Sequence, residues 1–195
     1  MLGAHDPLGL FETSAWRLTP GIDPVQRNNP ASTVGRVVRA GAMLGVIGGG
    51  LRAAGSFAPT LIAPNDARTW LYIVIDVCLT AGLLSIYLPR RHRVSALGSI
   101  GFFLALAGLI ANRTSPAITN VDLYPIAAAS IAIGVTVLSF SEWRSRRMAA
   151  WIPAAFALSL VTGGIGMSKT PGAGVLFIVS GILFGTAFAA MAIGW

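Results

Sequence analysis

Residues 172–194 read GAGVLFIVSGILFGTAFAAMAIG, without one charged side chain. A hydrocarbon core is about 30 Å thick and takes roughly 20 helical residues to cross. Water is missing there, so a crossing segment must satisfy its own N–H and C=O groups and is read as helix. Working back toward the N-terminus, five more stretches have the same character: 148–167, 121–140, 94–112, 69–88 and 40–59. The fold class read from the chain is an all-α polytopic membrane protein of six transmembrane helices.

Composition agrees. Hydrophobic residues make up 54% of the 195-residue chain and charged residues 11%, against roughly 25% charged in a soluble domain. The spans place one transmembrane domain over residues 36–195 and leave 1–35 as a tail. Pro7, Pro20, Pro24 and Pro30 interrupt that tail. Within it, Leu8, Phe11, Ala15 and Leu18 share one helical face, which fits a short helix lying in the headgroup region; an irregular tail against the basic loops is the alternative. The first residues lack the basic n-region and apolar h-region of a secretory signal, and Leu2 rules out myristoylation.

A net charge of +7 raises nucleic acid as a partner, but the positions of the arginines argue against it. Arg36 and Arg39 precede the first span, Arg90, Arg91 and Arg93 lie between the second and third, and Arg144, Arg146 and Arg147 lie between the fourth and fifth. All three places fall on one side of the bilayer. The opposite loops hold Arg68, Arg113 and Lys169, diluted by Asp66 and Asp122. Positive charge marks the cytoplasmic side, so both termini are expected in the cytoplasm of a multi-pass protein of the cell (inner or plasma) membrane. Trp70, Tyr72 and Tyr124 fit the outer interface, and Tyr87, Trp143, Trp151 and Trp195 the inner one. The arginine clusters should also draw anionic lipid headgroups, at about 1 kcal/mol per residue.

The arginine pairs recur. Arg36-x-x-Arg39, Arg90-x-x-Arg93 and Arg144-x-x-Arg147 are spaced by 54 residues, and each opens an odd-numbered span. Three repeated helical hairpins are the structural expectation, because parallel repeats of this kind build transporters. The alternative is that basic inner loops and proline-bearing outer loops arise in any six-helix protein.

Two charged residues lie deep within spans, Arg52 and Asp76. Each is twelve residues from the arginine side, about 18 Å at helical rise. A charge at that depth costs about 2.5–3.5 kcal/mol on insertion scales, so the two are expected to contact each other. The pair is read as a structural ion pair or, alternatively, as a substrate site. Close helix packing is expected through Gly41, Gly45 and Gly49 on the first span and Gly181, Gly185 and Ala189 on the last, either inside the bundle or against a protein partner or a second copy of the chain.

Chemical machinery is not visible. The histidines are His5 in the tail and His92 in a basic loop, and Cys78 is the single cysteine, so no metal or haem set can be assembled in a span and no cofactor is expected. The function read from sequence is a non-enzymatic accessory or assembly subunit of a membrane complex. The alternatives are a small-solute or lipid transporter with its site near Arg52 and Asp76, and a membrane-embedded enzyme or sensor.

Overall fold

The computed structural model describes residues 30–58, 66–118, 123–168 and 170–194, with side chains described from residue 34 onward except for 113–118. The expected interfacial helix at residues 8–18 lies outside the described residues. The chain divides into two units, Met1–Val34 and Gly35–Trp195.

Six α-helices account for most of the described residues: α1 Pro30–Gly55, α2 Asp66–Tyr87, α3 Ala96–Ile118, α4 Tyr124–Arg144, α5 Trp151–Gly166 and α6 Ala173–Ile193. A 3-10 turn, Leu88–Arg90, follows α2. No strand occurs among the described residues. Two helices extend beyond the expected spans. α1 starts at Pro30 and not near 40, because proline is well placed at the first helical position and the polar turns after it remain helical. α4 runs to Arg144 and not to 140, which brings Glu142 into the helix.

Among the described residues four helices are long and apolar enough to cross a membrane: α1, α2, α4 and α6. The other two are apolar but shorter over Ala96–Asn112 and Trp151–Gly166. Large apolar side chains face outward on every helix. Examples are Ile47 on α1, Val74 and Val77 on α2, Ile100 and Phe103 on α3, Ile126 and Ile133 on α4, Leu158 and Val161 on α5, and Val175 and Val179 on α6. A monomer in water rarely exposes apolar patches beyond a few hundred Å². A belt on all six helices is the surface of a protein whose surroundings are hydrocarbon.

Small residues set the helix contacts. A methyl group added to Gly45 on α1 would lie 3.0 Å from the Gly82 Cα on α2. On α3, one added to Gly101 would lie 2.6 Å from the Gly134 carbonyl oxygen on α4. On α5, one added to Gly166 would lie 2.6 Å from the Phe177 nitrogen on α6. α6 returns to α1, where Gly49 meets the Gly185 carbonyl and Ala189. Between α2 and α3, Tyr87 stacks on Phe102 with ring centres 3.8 Å apart. Neighbouring helices run antiparallel, and the contact of α6 with α1 closes them into a ring.

The ring is filled unevenly. Toward the arginine-bearing end its interior holds Leu83, Ile86, Leu138, Phe156, Phe188 and Met191, all almost fully buried. Toward the other end the interior is hollow.

Candidate functional site

That hollow is a cavity of about 570 Å³ lined by residues from all six helices. It takes the final turns of α1, α3 and α5 and the opening turns of α2, α4 and α6, so it lies at the end of the bundle opposite the arginine clusters. Leu79, Leu109, Ala132 and Phe184 form its deepest part, and Arg68, Tyr124 and Met167 stand near the helix ends.

Its two sides differ. Most of the polar groups come from α1, α2 and α3: Arg52, Ser56, Arg68, Tyr72, Asp76 and Asn112, with Tyr124 added by the first turn of α4. α4, α5 and α6 present mainly Ala128, Ala129, Ile131, Leu160, Met167, Phe177 and Phe184. Ser159 and Ser180 also lie on this side, but each hydroxyl donates its proton to the other residue's backbone oxygen, at 2.9 and 2.8 Å.

Arg52 and Asp76 thus line one cavity, but the direct contact expected from their depth is not formed. Among the described residues Arg52 makes no ion pair within 4.0 Å. The Asp76 carboxylate instead accepts a hydrogen bond from the Asn112 side-chain amide on α3, at 3.1 Å. The reason is azimuth. Gly48, one turn before Arg52, faces Cys78 on α2. Asp76 is two residues from Cys78, about 200° around the helix, and so turns toward α3. Equal depth brings two residues to one level without turning them toward each other. Backbone carbonyls on this wall are partly occupied: Ser56 Oγ donates to the Arg52 oxygen at 3.0 Å, and Tyr72 Oη donates to the Gly55 oxygen at 3.4 Å.

The glycine stripes meet other helices of the same chain. Gly41 faces Ser85, Gly45 faces Gly82 and Ala192, Gly49 faces Gly185 and Ala189, and Gly181 faces Ser56. Gly185 leaves no space for a side chain against Gly49 and Ala53. These contacts lie inside the bundle and leave no free face along the stripe.

At the arginine end the structure reveals a residue that the sequence reading passed over. Glu142 is 1% exposed, and among the described residues neither carboxylate oxygen has a hydrogen-bond partner. Its counter-charge is Arg147, at 3.7 Å. The chain reversal after α4 puts that arginine in place. Arg146 adopts a left-handed conformation at φ 57°. The Arg146 nitrogen donates to the Trp143 oxygen at 2.8 Å and the Arg147 nitrogen to the Glu142 oxygen at 3.0 Å, the two bonds of a Schellman cap. The Arg147 guanidinium also donates to the Arg93 carbonyl at 3.0 Å. A signal was present in the sequence: an acidic residue two positions before a run of arginines, at the end of an apolar stretch. Arg36 and Arg39 are exposed on α1; Arg90, Arg91, Arg93 and Arg144 lie at the linkers of this same end.

Among the described residues no group of three His, Cys, Asp or Glu side chains converges to hold a metal. The chain matches no known protein family, no curated protein and no solved structure.

Proposed function

We propose that the protein is a small membrane-embedded carrier whose solute site is the six-helix cavity. The observation that carries this reading is the cavity itself: its volume falls within the 300–1,000 Å³ typical of sites for organic ligands, and it contains Arg52. A guanidinium set in the interior of a membrane helix bundle is a functional feature by default. The accessory-subunit reading rests on the lack of catalytic and cofactor residues and of soluble bulk and, in part, on glycine and alanine stripes as docking faces. Those stripes are engaged within the chain, so the carrier reading takes precedence.

In this reading all six helices span the bilayer, with the arginine end in the cytoplasm by the positive-inside rule, and the cavity faces outward. The three helix pairs are read as a threefold repeat, supported by register. Tyr72 bonds the Gly55 oxygen across α1 and α2. Ser180 meets Gly163 across α5 and α6, and each member of that pair lies 108 positions, twice 54, beyond its counterpart. Arg147 reaches the carbonyl of Arg93, the residue 54 positions before it.

Solvent access tests the proposal. In a Cys78→Ala background, Ala129→Cys places a thiol in the cavity wall and Ile133→Cys places one on the outer apolar belt. A membrane-impermeant charged thiol reagent, added outside intact cells, should label the first and spare the second. Labelling of Ala129→Cys only in inverted vesicles would reverse the orientation. No labelling from either side would mean a sealed bundle, and the carrier reading would fail.

A further inference from the structure

We infer that the cavity takes an amphipathic anion, a single apolar chain carrying a carboxylate or phosphate head. The inference rests on the carrier reading and adds to it the chemistry of the ligand.

The division between the two walls is the first argument. α1, α2 and α3 gather the charged and amide groups, whereas α4, α5 and α6 offer aliphatic and aromatic surface. The serines on the apolar wall have already donated their protons to each other's backbone, so they present no free donor to a head group. A uniformly polar solute would leave the apolar wall poorly matched, and a uniformly apolar one would strand the guanidinium.

Hydrogen-bonding capacity is the second. Arg52 carries five N–H donors and has no acidic partner within 4.0 Å among the described residues. The Asn112 amide gives one hydrogen to Asp76 and has a second to offer. Carboxylates and phosphates match a guanidinium in charge and in its fork geometry, and such charge-assisted bonds are about twice as strong as neutral ones.

Size is the third. A water molecule occupies about 30 Å³ of liquid, and the cavity holds about 570 Å³. An inorganic anion on Arg52 would leave most of that space, and all of the apolar wall, without contact. A chain attached to the anion would fill it.

The test uses the full chain in nanodiscs of zwitterionic lipid, with empty discs subtracted, and measures equilibrium binding of octyl phosphate, octylammonium, octanol and inorganic phosphate. Octyl phosphate should saturate and bind at least about tenfold more tightly than each of the others. Arg52→Gln should weaken octyl phosphate by about tenfold or more, with Arg52→Lys recovering part of the loss. Leu160→Asn should weaken octyl phosphate and leave inorganic phosphate unchanged. Thermal unfolding of each variant confirms that it is folded. Equal binding of octylammonium or octanol, or indifference to Arg52→Gln, would overturn the anionic head. Inorganic phosphate binding as tightly as octyl phosphate would overturn the chain. If octyl phosphate fails to bind while Ala129→Cys is labelled from outside, this inference falls and the carrier reading stands. If that labelling also fails, both fall.

Discussion

The two ends of the helix ring bury charge in opposite ways. At the arginine end Glu142 is sealed in the protein at 1% exposure, with Arg147 folded back over it by the cap of α4. At the cavity end Asp76 holds Asn112, while Arg52 faces open volume with no acidic partner among the described residues. A charge closed in by its own chain contributes to keeping one structure. A charge turned toward a cavity is available to something that enters. If this contrast is right, substitutions at the arginine end should register in stability, and substitutions at the cavity end in binding.

Glycines should show the contrast most strongly. Gly101 sits where two backbones meet, and a methyl there would lie 2.6 Å from the Gly134 oxygen and 2.7 Å from the Leu138 nitrogen. Neither atom can rotate away, so α3 and α4 must separate. Gly101→Ala should cost about 2–3 kcal/mol, as overpacking does. Gly164 lines the cavity with nothing within 4 Å of the same added methyl. Gly164→Ala should therefore stabilise the protein by about 0.5–1 kcal/mol through reduced chain entropy. Thermal unfolding in mild detergent reads both, and equal losses would show that the hollow end is as tightly packed as the other.

The charges come next. Arg147→Met leaves Glu142 as a buried carboxylate without its ion-pair partner. Breaking a fully buried pair costs about 3–5 kcal/mol. The Arg147 side chain is 36% exposed, and screening lowers the expectation to about 2 kcal/mol. Adding Glu142→Gln should restore most of the loss, because no orphan charge remains. Arg52→Met, with no partner to strand, should change stability by less than about 0.5 kcal/mol. A loss at Arg52 as large as that at Arg147 would mean that Arg52 is structural, and the difference between the ends would disappear.

How much of this was legible in the sequence divides along physical lines. Hydrophobic run length located the six helices, since apolar character is a property of each stretch by itself. Depth along a helix is also a local quantity, and it brought Arg52 and Asp76 to the same level of one cavity. Azimuth is not local. It depends on which face of α2 meets α1, so the Arg52–Asp76 contact was not formed and Asn112 took its place. The cavity was hidden for a related reason. Gly101 and Gly164 are identical as letters, yet one lies between two backbones and the other borders empty space. Only the crossing points of the helices decide whether a small residue closes a gap or leaves one. Glu142 adjoins Arg144, Arg146 and Arg147 and reads as one more interfacial charge, whereas in the structure it is a buried residue of α4.

The smallest expected effect concerns the turn that seals the arginine end. Arg146 occupies the left-handed position of the α4 cap, where glycine is the usual residue because it has no Cβ to crowd the following carbonyl. An L-residue with a side chain there costs about 1–2 kcal/mol. Glycine removes that cost but loses more chain entropy on folding, about 0.5–1 kcal/mol. The difference leaves Arg146→Gly more stable by about 0.5–1 kcal/mol, with the Glu142–Arg147 pair intact. The arginine also adds one positive charge at this end, which the positive-inside rule uses for orientation. Seven of the eight clustered arginines remain in the variant, so its orientation should not change. Thermal unfolding should therefore shift upward, while thiol labelling of Ala129→Cys keeps its sidedness. A downward shift would mean that the Arg146 side chain makes a stabilising contact that outweighs its backbone strain, and that this end is held by more than the cap and the buried pair.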